Sequence, residues 1–160
     1  MRVASEIHAI RQRIDATFER AGHIEDLETQ ADMARYICVL VSGLLERSAS
    51  EALLDYTARS ASPVVQRYVE ARLDRFTNAK ASKILNLFGD FNPDWRECLD
   101  TFIVDERKTA IDSVIANRHL IAHGRSVGLS LGRIREYSVQ VDKVVDKMLE
   151  LCECHSTSVG

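Results

Sequence analysis

The chain has 160 residues, 46% apolar and 28% charged, with 21 lysines and arginines against 24 acidic residues and a formal net charge of −3. A chain of this length can bury roughly 70% of its unfolded surface around one self-sufficient core. The balance excludes a disordered or fibrous protein and one that holds nucleic acid through general positive charge, so any phosphate contact must come from a local patch.

The opening segment mixes Arg2, Glu6, His8, Arg11 and Arg13 with apolar residues, so no targeting signal is expected. The longest near-apolar run, Tyr36 to Leu45, is far short of the ~20 residues that span a bilayer. A cytoplasmic protein with no membrane partner is the expectation. Only two prolines and seven glycines punctuate the chain, and no β-branched run alternates with polar residues, which predicts an all-α fold.

The first predicted helix runs from about Val3 to Arg20, with Val3, Ile7, Ile10, Ile14 and Phe18 on one stripe and Gly22 closing it. A second opens around Glu25 and carries Met33, Ile37, Leu40, Val41 and Leu44, with Val39 and Leu45 on other sides. A helix apolar on most sides belongs at the centre of a bundle. It either continues to about Arg59 or breaks near Ser48 to Ser50. Ser62-Pro63 is the cap-and-proline start of a third helix bearing Val64, Tyr68, Leu73 and Phe76. A short helix with Ile84, Leu85 and Phe88 is expected to stop at Gly89, and Asn92-Pro93 opens another through Trp95, Leu99 and Phe102. Two longer helices follow, about Val104 to His123 and Leu131 to Cys152, the latter opened by Ser130. No repeat or long linker divides the chain. One helical bundle with additional short helices is expected over 1–155, followed by a disordered tail at 156–160.

Cys38 and Cys98 lie in helical patterns and Cys152 and Cys154 near the end, so no disulfide framework is suggested. Cys152-Glu153-Cys154-His155 offers too few ligands on a terminal segment to predict a metal site. The notable chemistry stands at residues 116–124, Ala-Asn-Arg-His-Leu-Ile-Ala-His-Gly. At 100° per residue, Arg118 falls in the middle of the apolar sector of Ile111, Val114, Ile115 and Ile121. A guanidinium there needs a carboxylate, a phosphate or water, and Glu46 is the favoured partner. His119 and His123 share a stripe, and His123 lies about 140° from Arg118 on an ideal helix. The arginine and His123 meet at one ligand only if Gly124 swings the imidazole round, or if the helix faces its copy across a two-fold axis. A zinc site at His119 and His123 would lack the glutamate of His-Glu-x-x-His, since Leu120 stands in its place, and no third ligand is evident. The alternative is structural: an ion-paired arginine, and a histidine capping the last carbonyls.

Arg118, four residues and then His123 resembles the Arg-x4-6-His motif of the HEPN superfamily (higher eukaryotes and prokaryotes nucleotide-binding), with polar His119 directly after the arginine. The setting from about Ala31 to Leu151 is similar too: an apolar central helix ending in Leu-Leu-Glu, the motif at a late helix end before a glycine, and a long final helix. The resemblance implies an HEPN-like bundle that dimerises with its motifs facing each other and acts as a metal-independent endoribonuclease without a cofactor. It implies His123 as general acid/base and Arg118 as phosphate stabiliser, because an imidazole exchanges protons near neutral pH and a guanidinium holds a permanent forked charge. His119, Asn117 and Glu46 would support them, and Arg125, Arg133 and Arg135 would line the path of the RNA backbone. A toxin or antiviral effector, with an antitoxin or regulatory protein as partner, is the implied context. Arg125 departs from the tyrosine that HEPN toxins under nucleotidyl-transfer control carry two places after the histidine. A non-catalytic module binding RNA, nucleotide or protein is the alternative.

Overall fold

Residues 2–154 are described in the computed structural model; His155 and the expected tail at 156–160 lie outside the described residues. Helix α1 (Arg2–Gly22) buries Ile7, Ile14 and Phe18 along its predicted stripe. Its Arg11 reaches across to Asp142 at 2.6 Å and Asp146 at 2.5 Å, tying it to the last helix, α7 (Leu131–Cys154).

The acidic turn after α1 does more than face water. Asp26 is the N-cap of α2 (Leu27–Ser60), accepting from the Thr29 backbone N–H at 2.8 Å. Helix α2 runs unbroken through Ser48 to Ser50, since Ser48, Ala49, Ala52 and Leu53 are all buried and their packing outweighs serine's weak helix preference. It is the central element, packed against α1, α7, the helix α6 (Asp105–Ala122) and α3 (Pro63–Leu73). Cys38 of α2 donates its thiol to the Val114 carbonyl of α6 at 3.5 Å. Burial pushes the Cys38 thiol up to about 11 and the Cys152 thiol up to about 12, so neither is a thiolate at neutral pH.

Two expectations are corrected. The stripe of α3 is not a core face: Leu73 is buried, but Val64 and Tyr68 are 80% and 67% exposed, and Phe76 lies beyond the helix end. The reason is that α3 packs chiefly on α2, through the side that carries half-buried Val69 and buried Leu73. Helix α4 (Ala81–Phe91) also passes through Gly89 and stops only at Asn92, because Pro93 forces the preceding residue into extended backbone. Asn92 closes α4 and caps α5 (Pro93–Phe102) through its side chain. A Cβ on Gly89 would meet the Arg96 side chain at 3.1 Å, so the glycine lets α5 fold close against α4.

One hydrophobic cluster draws on every one of these helices, with Trp95, Phe88, Leu53, Ile111 and Met148 among its buried members. No helix among the described residues is long and apolar enough to cross a membrane. The fold is all-α, as the composition predicts.

Candidate functional site

The end of α6 is built by backbone geometry. Gly124 adopts a φ of +67°, the left-handed conformation that glycine reaches without a Cβ clash. The Gly124 N–H then donates to the Ile121 carbonyl at 3.0 Å, and the Arg125 N–H to the Leu120 carbonyl at 2.9 Å. These two bonds form a Schellman motif, which satisfies carbonyls that the helix leaves without partners. His123 is the C-cap residue and donates its own N–H to the His119 carbonyl at 3.2 Å.

Fixed in this way, His123 stays on the stripe of His119. The two rings stand edge to face with centroids 4.5 Å apart, and both residues are exposed. Together with Leu120 and Arg125 they line an open recess of about 440 Å³. No third histidine, cysteine or carboxylate joins them in a metal-binding group among the described residues. Two imidazoles beside a guanidinium are groups that can pass protons to and from a bound hydroxyl and attract a phosphate.

Arg118 points elsewhere. It is half-buried, and its Nη1 donates to the Asn78 Oδ1 at 3.4 Å, while Glu46 accepts the Asn78 backbone N–H at 2.8 Å. The expected ion pair between Arg118 and Glu46 is thus replaced by a link through Asn78, a residue that sequence reasoning passed over. Asn78 has a φ of +54°, which asparagine tolerates better than most residues. Its position in an irregular connection between α3 and α4 offered no periodic signal. Asp112 holds the same connection by accepting the Ala81 N–H at 3.0 Å.

The remaining candidates are dispersed. Asn117 donates to the Ser113 carbonyl of its own helix at 2.8 Å. Arg133 pairs with Glu136 at 2.9 Å and borders a recess between α6 and α7. Arg135 lies over the Phe18 ring, 4.5 Å from its centroid, beside the Arg11–Asp142 pair. Of the three arginines expected along the RNA path, Arg125 alone lines the histidine recess. The chain therefore gathers His119, His123 and Arg125, with Arg118 held on another side of the helix.

A family model described as RiboL-PSP-HEPN matches residues 4–153. No curated protein and no solved structure matches the chain. With the match covering nearly the whole sequence and the all-α bundle beneath it, the chain belongs to this HEPN family.

Proposed function

We propose that this HEPN protein is a metal-independent endoribonuclease that works as a homodimer. The observation that carries the reading is the histidine recess of about 440 Å³, in which a Schellman turn sets His123 and Arg125 beside His119. In the proposed reaction His123 takes the proton of the ribose 2′-hydroxyl, whose oxygen attacks the adjacent phosphorus. The 5′-oxygen leaves with a proton from the second His123 of the dimer, giving a 2′,3′-cyclic phosphate and a 5′-hydroxyl. Arg118 stabilises the charged phosphorane, His119 and Asn117 orient it, and Glu46 fixes Arg118 indirectly through Asn78. Arg125 meets the backbone at the rim. Arg133 and Arg135, engaged by Glu136 and Phe18, extend the approach along α7.

The angular gap between Arg118 and His123 supports the dimer, since a two-fold axis near the end of α6 supplies one chain's arginine to the other's histidine. A toxin or antiviral effector role, silenced by an antitoxin or regulatory protein, accords with this activity. The second reading is a non-catalytic module that binds RNA, nucleotide or a protein, and the engagement of Arg118 by Asn78 favours it.

Incubating the purified protein with RNA in excess chelator separates the two. Cleavage to cyclic-phosphate ends, lost by at least about a hundredfold in His123→Ala and Arg118→Ala with helicity and solution mass unchanged, is the expected result. Intact RNA across varied substrates, or full activity in His123→Ala, would overturn the ribonuclease.

A further inference from the structure

The stretch from Arg67 to Lys83 carries five cations, Arg67, Arg72, Arg75, Lys80 and Lys83, against two carboxylates, Glu70 and Asp74, for a local charge of +3 in a chain of −3. The structure leaves much of this charge available. Arg67, Arg75 and Lys80 have no carboxylate within 4 Å among the described residues, whereas Arg72 pairs with Asp90 at 2.5 Å. Lys83 donates to the Thr77 carbonyl and stands 5.7 Å over the Phe76 ring.

Aromatic and apolar surface accompanies the charge. Tyr68, on the same side of α3 as Arg72 by helical spacing, is 67% exposed, and Val64 one turn earlier is 80% exposed. An open recess of about 250 Å³ is lined by Arg72, Arg75, Phe76 and Lys83 together with Asp90, the partner of Arg72. Guanidinium and ammonium groups without carboxylate partners, on one segment with an exposed ring, match a polyphosphate strand with uncovered bases: the cations track the backbone and the ring stacks a base. A duplex would offer the ring nothing to stack on. The connection also reaches Arg118, the arginine of the proposed reaction, because Asn78, two residues past Phe76, accepts from it.

We infer that α3 and the 74–80 connection form a platform for single-stranded RNA, holding nucleotides that flank the scissile phosphate, with Tyr68 stacking a base and Arg75 and Lys80 on the backbone. The inference rests on the reading that the protein acts on RNA.

Binding of a fluorescein-labelled single-stranded RNA of about 20 nucleotides is measured by anisotropy over a range of salt. The His123→Ala background keeps the probe intact, so binding is read independently of cleavage. Arg75→Ala with Lys80→Ala is expected to weaken binding about tenfold or more. It should also lower the slope of log K against log salt by about 1.4, the share of two phosphate contacts on a single strand. Tyr68→Ala should weaken binding about tenfold with an unchanged slope. These side chains are on the surface, and unaltered melting temperatures confirm that the variants fold. Wild-type affinity and slope in the variants would overturn the platform while leaving the histidine chemistry standing. Failure of the parent protein to bind the probe, even at low salt, overturns the platform and the RNA reading together.

Discussion

Gly124 shows how much of the site depends on one backbone angle. Its left-handed φ of +67° is what allows the N–H groups of Gly124 and Arg125 to turn back onto α6. A Cβ there would meet no neighbouring atom within 4 Å, so the constraint is conformational and not one of space. Gly124→Ala is therefore expected to cost about 1 kcal/mol, a fall of about 2–4 °C in melting temperature for a domain of this size. Because the turn also sets His123 and Arg125, the proposed RNA cleavage should fall in this variant well beyond what the lost stability explains when assayed below its melting point. A melting curve and a cleavage assay on the same preparation check both parts. Asn78 teaches the complementary lesson. Its role comes from a positive φ and two long-range partners, Arg118 and Glu46, and none of these leaves a trace in residue spacing.

Among the elements, α2 bears the most structural responsibility, and its start is set by Asp26. The Thr29 hydroxyl and backbone N–H both donate to the Asp26 carboxylate and hold it below its ordinary value of 3.8. A carboxylate whose pKa is lowered on folding stabilises the folded state above its unfolded value, and that contribution fades as pH falls through the folded one. Asp26→Ala is expected to lower the melting temperature by a few degrees at pH 7. The gap from the unaltered protein should close as the pH drops below about 3.8, as a series of melting curves from pH 7 to pH 3 would reveal. Helix α3 differs from α2 in that its apolar spacing is real but its burial is one-sided. Tyr68 and Val64 sit where no other helix covers them, and a periodic pattern alone does not say which neighbour, if any, a stripe will meet.

At the scale of the whole molecule, Trp95 joins parts of the chain that are distant in sequence. It is fully buried on α5, edge to face with Tyr56 of α2 at 4.9 Å between ring centres and 6.2 Å from Phe88 of α4. Truncating such a side chain removes its transfer free energy and leaves a cavity, at a cost of about 3–5 kcal/mol. Against a total stability of about 5–15 kcal/mol, Trp95→Ala should drop the denaturation midpoint sharply. A midpoint within 0.5 M urea of the unaltered protein would contradict this account of the core.

Residue order alone determined the helical class, the approximate extents of α1, α6 and α7, the proline-marked starts of α3 and α5, and the clustering of Arg118, His119 and His123 before a helix-ending glycine. Those features are local: they follow from apolar periods, caps and breakers within a few turns of chain. Only tertiary structure decided that Arg118 meets Asn78 and not Glu46, that Arg133 and Arg135 stand away from the histidine recess, and that the stripe of α3 faces outward. Each of these outcomes depends on which helix packs against which face, and that choice is made by long-range burial summed over the whole core, to which any single short segment contributes too little to reveal it.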